Sequence, residues 1–64
     1  MWKTIYISPK SEKAVRIKKL LESEGIIAKN KTVNNNENNE CFFEILVPSK
    51  EISEAHSIII DAEL

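Results

Sequence analysis

Residues 41–47 read Cys-Phe-Phe-Glu-Ile-Leu-Val, and Pro48 follows them; this stretch decides the fold. Its residues are mostly β-branched, aromatic or aliphatic, which favours extended structure, and a proline interrupts the hydrogen bonding of a sheet. The stretch therefore predicts a strand that ends at Pro48. Because side chains alternate along a strand, the odd-numbered residues share one face, and Phe42, Glu44 and Leu46 share the other.

A strand is also predicted near the start of the chain, where residues 3–7 read Lys-Thr-Ile-Tyr-Ile. β-branched and aromatic residues at successive positions are typical of a strand. Alternation places Ile5 and Ile7 on one face. Tyr6 then lies on the other face, together with Trp2.

A third strand is predicted from Ile26 to Val33, although its polar residues, at positions 29–31, dilute the apolar pattern. The following stretch, Asn34–Glu40, reads Asn-Asn-Asn-Glu-Asn-Asn-Glu and has no apolar residue to bury. Such a composition predicts a solvated loop between two strands. A calcium-binding loop would need more carboxylates and a central glycine.

The first helix is predicted to follow the first strand and to run to about Glu24. Ser8 is a suitable N-cap with Pro9 in the first helical position, and Ser11 is an alternative cap that moves the start by three residues. Gly25 stands where a left-handed residue ends many helices. Helical spacing puts one apolar stripe on the helix, formed by Ala14, Ile17, Leu20 and Leu21.

A second helix is predicted after Pro48, with Ser49 as its N-cap. Apolar and neutral residues recur at helical spacing along this segment. The predicted stripe consists of Ile52, Ala55, His56 and Ile59.

The order of elements, strand–helix–strand–strand–helix, allows few compact arrangements. A right-handed crossover makes the first two strands parallel and leaves room for the third strand between them, antiparallel to both. We therefore expect a single α+β domain over residues 1–64. Its sheet has the order 1-3-2 with both helices on one face, which is a ferredoxin-like two-layer sandwich lacking the final strand.

The sheet face away from the helices is predicted to carry several large apolar side chains. Its expected members are Trp2, Thr4, Tyr6, Phe42, Glu44 and Leu46, joined by Ile27, Lys29 and Lys31 from the second strand. An uncovered apolar patch is typical of an interaction surface. The alternative is that these side chains only cover the sheet, and the sequence leaves both interpretations open. The unpaired outer edge of the first strand is another candidate for association.

No catalytic residues are predicted. Cys41 and His56 are the nucleophile and base to consider, and the rises of a strand and a helix place them about 10 Å apart. We expect a buried structural cysteine and a histidine beside the apolar stripe. The single glycine excludes a phosphate-binding loop, and one cysteine with one histidine makes no recognisable metal cluster, so neither metal nor cofactor is expected.

Composition limits the partners and the compartment. The chain is 42% hydrophobic and 30% charged, with a net charge of −1, so it has no general electrostatic attraction for nucleic acid or anionic lipid. Its apolar stretches are far shorter than the ~20 residues of a membrane span. The single cysteine cannot form an internal disulfide. We therefore expect a cytoplasmic protein with no membrane partner.

Nucleic acid is also not expected as a partner, although RNA-recognition domains use the same face of a related sheet. Tyr6 and Phe42 would supply the stacking, with Lys29 and Lys31 near the phosphates. However, Glu44 stands where a basic residue would help.

The helix end Lys19–Ile26, the run Glu44–Pro48 and the later Glu54–His56 resemble a prokaryotic signal-transducing protein family, a domain of unknown function. Met1–Lys3, Tyr6-Ile7 and Glu54–Ile58 resemble short bacterial proteins from Gram-positive anaerobes. The resemblance implies a ferredoxin-like fold and a regulatory or signalling role, and it implies no catalytic or binding residues. Some of these relatives carry the label glutamate decarboxylase, but 64 residues cannot enclose a pyridoxal-phosphate site.

The predicted function is therefore a non-enzymatic regulatory or adaptor module. It associates with another copy or with a different protein through the face described above or the edge of the first strand. A small-ligand sensor, with the ligand held between two copies, is one alternative. A weak single-stranded nucleic-acid binder is the other.

Overall fold

The computed structural model describes residues 1–35 and 40–62. The described residues form three strands, two α-helices and one 3-10 turn. In chain order they are β1 (Trp2–Ser8), α1 (Ser11–Ser23), β2 (Lys29–Asn35), β3 (Glu40–Pro48), the turn Ser49–Glu51 and α2 (Ile52–Ala62).

The strand bounds differ from the predicted ones at β2. This strand begins at Lys29 rather than Ile26, and it continues to Asn35, inside the predicted loop. β3 likewise begins at Glu40. Strand pairing therefore takes up both ends of the predicted loop, and its central residues, 36–39, lie outside the described residues.

The sheet has the order β1-β3-β2, and both pairings are antiparallel. This confirms the predicted α+β class and the predicted strand order. The register places Ile7 of β1 and Lys31 of β2 opposite Glu44 on the central strand. Cα partners in such a ladder project their side chains to the same face, so the register shows which residues are neighbours on each face.

β1 contains an irregularity that changes its faces. Thr4 pairs with Leu46 and Tyr6 pairs with Ile45, so Ile5 is an extra residue with no partner of its own on β3. This is a β-bulge, and the inserted residue reverses the alternation beyond it.

The bulge corrects two predictions about β1. Tyr6 was expected on the face away from the helices, but it lies on the side of buried Ile45 and packs against the core, as Ile5 also does. Ile7 was expected in the core, but it lies beside Glu44 with 58% of its surface exposed. The physical reason is that strict alternation holds only while each residue has one partner.

One buried cluster holds the helices to the sheet. Ile45 and Val47 of β3 are fully buried, and they pack with residues of both helices and of the segment before β2. Those residues are Ala14, Ile17 and Leu21 of α1, Ala55 and Ile59 of α2, and Ile26 and Ala28. Each buried Ile, Leu or Val side chain contributes about 1.5–3 kcal/mol, so this cluster supplies most of the stability of a small domain.

The end of α1 has a Schellman motif at Gly25, as the sequence predicts. Gly25 has a φ of +86°, which side-chain-bearing residues rarely adopt. Its N–H donates to the carbonyl of Glu22 at 3.0 Å, and the N–H of Ile26 donates to the carbonyl of Leu21 at 2.9 Å. The turn brings Ile26 directly back into the core, where it is 2% exposed.

The predicted N-caps are wrong at both helices. α1 begins at Ser11, and its N-cap is Lys10, which makes no side-chain cap. Buried Ser8 instead bonds the backbone of Lys10: its hydroxyl accepts from the N–H at 3.1 Å and donates to the carbonyl at 3.0 Å. Ser49 lies inside the 3-10 turn, and its N–H donates to the carbonyl of Met1 at 2.8 Å. Ser8 thus makes a local turn instead of a cap, and Ser49 makes a tertiary contact.

Candidate interaction face on the sheet

The face of the sheet opposite Ile45 and Val47 is called the open face below. Strand register assigns to it Trp2, Thr4 and Ile7 from β1, Phe42, Glu44, Leu46 and Pro48 from β3, and Lys29, Lys31 and Val33 from β2. Of the residues predicted for this face, Tyr6 lies on the opposite face and Ile27 precedes β2, whereas the others lie here. Ile7 was missed because the bulge in β1 is a feature of strand pairing. Val33 was also missed, although it ends the predicted strand and shares a face with Lys29 and Lys31 by alternation.

One end of the open face is covered by its own side chains. The Lys29 ammonium lies 4.2 Å from the centre of the Trp2 ring, within cation–π distance. Trp2 and Lys29 belong to the two outer strands, so their contact crosses β3 at the level of Leu46 and Pro48. Leu46 is accordingly only partly exposed, and Trp2 is 36% exposed. At this end the side chains do cover the sheet, as the alternative interpretation expects.

The other end of the open face is apolar and uncovered by these two side chains. Val33 and Phe42 are paired across β2 and β3 and are partly exposed. Ile7 lies on β1 opposite Glu44, one level nearer the middle of the face than Phe42, and exposes 58% of its surface. These three residues form an apolar corner that water contacts directly.

A charged row crosses the middle of the face, and its β1 member is Ile7 of the apolar corner. Ile7, Glu44 and Lys31 lie side by side on β1, β3 and β2. The hydroxyl of Thr4 donates a hydrogen bond to Oε1 of Glu44 at 2.8 Å, which orients the carboxylate. Glu44 is partly buried and Lys31 is exposed. The row therefore reads apolar, negative, positive from β1 to β2.

Tyr6 has a structural role on the opposite side. Its ring packs against the core, and the ammonium of Lys13 on α1 lies 5.8 Å from the ring centre. Removing Tyr6 would therefore affect the packing of α1 on the sheet rather than the open face.

Cys41 and His56 do not occupy the predicted environments. Cys41 is exposed, and its thiol donates to Oδ1 of Asn34 at 3.0 Å, because β3 is already at the margin of the core at this position. His56 is exposed on α2, whose buried side consists of Ala55 and Ile59. Among residues 1–35 and 40–62, no group of three or more His, Cys, Asp or Glu side chains is placed to hold a metal ion.

Another concave region lies between the helices, far from the open face. A cavity of about 280 Å³ is lined by Leu20, Glu24, Ile58, Asp61 and Ala62. Two carboxylates and aliphatic walls provide no convergent set of donors for a polar ligand. In the part of the chain that the structure describes, no helix is both long and apolar enough to cross a membrane.

Comparisons with protein-family models, with curated proteins and with solved structures find no significant match to this chain. The resemblance to the signal-transducing family therefore stays a prediction.

Proposed function

We propose that this protein is a non-enzymatic regulatory or adaptor module that binds a protein partner through the open face. The observation that supports the proposal best is the exposed apolar corner formed by Ile7, Val33 and Phe42 on a sheet whose other face holds the core. In this proposal the fold is a ferredoxin-like sandwich without its last strand, and the missing strand leaves the sheet narrow. A free cysteine is usual in the reducing cytoplasm, which is the compartment we propose.

The face is favoured over the edge of β1 as the binding surface. A strand adds to a sheet edge by making a regular row of backbone hydrogen bonds, and β1 has a bulge at Ile5 in the middle of that row. Bulges are one of the devices by which proteins prevent pairing at an edge. Side-chain contacts on the open face need no such regular backbone.

The register also weakens the nucleic-acid alternative. Stacking of bases needs exposed aromatic rings, but Tyr6 packs against the core and the ring of Trp2 is already in contact with Lys29. Phe42 is then the remaining aromatic side chain of the predicted set, and Glu44 lies next to it on the same strand. A protein partner, which can match both apolar and charged groups, fits this surface better.

The test compares two isoleucines that are similarly exposed. Ile7→Ser removes one of the three side chains of the apolar corner, whereas Ile60→Ser removes an isoleucine of α2 that is 72% exposed and lies on the other side of the molecule. Burial of an isoleucine with the exposure of Ile7 is worth about 1–2 kcal/mol, which is a factor of about 5–30 in affinity. Both variants should unfold at nearly the temperature of the wild-type protein.

The wild-type protein and both variants would be used as immobilised baits in an extract of the native cells. The captured partner would then be purified and titrated by calorimetry. We expect the Ile60→Ser protein to bind like the wild type and the Ile7→Ser protein to bind at least fivefold more weakly. Equal affinity of a folded Ile7→Ser protein would refute the open face as the binding surface.

A further inference from the structure

We infer that the partner of the open face is a second copy of this chain, stacked face to face about a two-fold axis that runs parallel to β3. This inference rests on the proposed function and names the partner for the same surface. The arguments are the order of charges in the central row and the size of the face.

The central row matches its own reverse. From β1 to β2 it reads Ile7, Glu44, Lys31, and a two-fold axis along β3 lays it on the row Lys31, Glu44, Ile7 of the second copy. The two Glu44 carboxylates then lie at the axis with one Lys31 on each side. The four charges sum to zero, the pair of carboxylates lies between the two ammonium groups, and the aliphatic stem of each Lys31 covers the Ile7 of the other copy.

The other face-to-face arrangement is electrostatically worse. A two-fold axis perpendicular to the strands at this level also brings the two Glu44 side chains together, but it stacks Lys31 on Lys31. Like charges in direct opposition disfavour an interface and are a common means of rejecting wrong arrangements. The axis along β3 avoids this contact.

The rows on either side are compatible with the same axis. Phe42 meets Phe42 and Leu46 meets Leu46 across the axis, since both residues lie on the central strand. Thr4 of one copy faces Lys29 of the other. Stacked sheets lie about 10 Å apart, a gap that these side chains are long enough to fill.

The size of the face predicts a weak dimer. Three strands spaced about 4.8 Å apart and overlapping over about six residues give a contact of roughly 14 Å by 20 Å. Because side chains project from the sheet, the accessible surface buried is larger than this footprint, on the order of 500 Å² per copy or about 1,000 Å² in total. That area is at the lower end for specific interfaces. We therefore expect a dissociation constant on the order of 100 μM.

A second copy suits the face better than a partner of one charge. An acidic partner would be attracted by Lys29 and Lys31 but repelled by Glu44, which Thr4 holds in place at 2.8 Å. A basic partner would meet two lysines. The same row reversed, in a second copy, supplies two lysines beside the pair of carboxylates, so that the charges of the two copies cancel.

Charge reversal tests the arrangement directly. Sedimentation equilibrium from 10 μM to 2 mM would be measured for the wild type, Lys31→Glu, Glu44→Lys, the double variant and an equimolar mixture of the two single variants. Each single variant puts four like charges at the axis, so we expect at least tenfold weaker association. The double variant and the mixture restore two charges of each sign, so we expect association within about threefold of the wild type.

Controls distinguish a lost contact at the axis from loss of folding and from a change in net charge alone. Lys19→Glu and Glu22→Lys reverse exposed charges on α1 and should leave the dissociation constant unchanged. Circular dichroism would show that each variant is folded. If Glu44→Lys fails to fold, then Lys31→Glu must weaken association more than Lys31→Gln does.

The outcomes distinguish the inference from the proposed function. A folded wild-type protein that stays monomeric at 2 mM, or a mixture of single variants that does not associate, overturns the second-copy inference alone. A dimer that is not weakened by Ile7→Ser overturns the open face as an interface, and with it both proposals. Recovery of association in the mixture supports the inference, because only an intermolecular contact can be rescued by mixing.

Discussion

Two neighbouring residues of β1, Tyr6 and Ile7, provide the sharpest test of the structure. With regular alternation Ile7 would be a core residue and Tyr6 a surface residue. The bulge at Ile5 reverses the two, so that Tyr6 packs against the core and Ile7 is 58% exposed. Regular alternation therefore predicts that Ile7→Ala destabilises the fold more than Tyr6→Ala does, whereas the bulged strand predicts the reverse.

The magnitudes follow from burial. Removing a fully buried aromatic ring costs about 3–5 kcal/mol, and Tyr6 is partly buried, so Tyr6→Ala should lower the free energy of unfolding by about 2 kcal/mol. Removing a fully buried isoleucine costs about 2–5 kcal/mol, and most of Ile7 is exposed, so Ile7→Ala should cost about 1 kcal/mol or less. A 64-residue domain has a total stability of roughly 3–10 kcal/mol, so the difference is measurable.

Urea denaturation followed by far-UV circular dichroism at low protein concentration provides the measurement, since it avoids any contribution from association. Tyr6→Ala should clearly lower the urea concentration at the midpoint of unfolding, and Ile7→Ala should lower it little. The dependence of the unfolding free energy on urea concentration should be the same for both variants. Thermal midpoints should fall by about 8–16 °C for Tyr6→Ala. If Ile7→Ala proves the more destabilising of the two, the bulge is misplaced and the composition of the open face is wrong.

Two further predictions concern local contacts. Gly25→Ala should lower the free energy of unfolding, measured by urea titration, by about 1–2 kcal/mol. Because φ is +86° and the added methyl group meets no atom within 4 Å, the whole cost is backbone strain. An unchanged stability would contradict the left-handed turn. Lys29→Ala should increase the acrylamide quenching of Trp2 fluorescence, since the ammonium lies 4.2 Å from the ring centre, whereas Lys31→Ala should leave the quenching unchanged. Equal quenching in both variants would show that the Trp2–Lys29 contact does not persist in solution.

Much of the architecture could be predicted because its signals are local. The run from Cys41 to Val47 has the composition of a strand, and Gly25 supplies a backbone conformation that few other residues adopt. The strand order followed from the geometry of connections. A right-handed crossover between β1 and β2 leaves room for β3 to pair between them, antiparallel to both.

Other features could not be predicted, because they depend on pairing and packing. Ser49 is a good capping residue, but it lies inside the 3-10 turn and donates its backbone N–H to the carbonyl of Met1. Cys41 and His56 were assigned by residue type, and their exposure depends on where the core ends along β3 and around α2.

The sequence by itself determined the elements, their order and most members of the open face, because alternation along a strand and spacing along a helix are properties of a local segment. Only the tertiary structure decided on which face Tyr6 and Ile7 lie. That choice depends on the bulge at Ile5, which exists only when β1 pairs with a strand about 40 residues away. The same pairing places Lys31 beside Glu44 and so creates the charged row on which the proposed self-association depends.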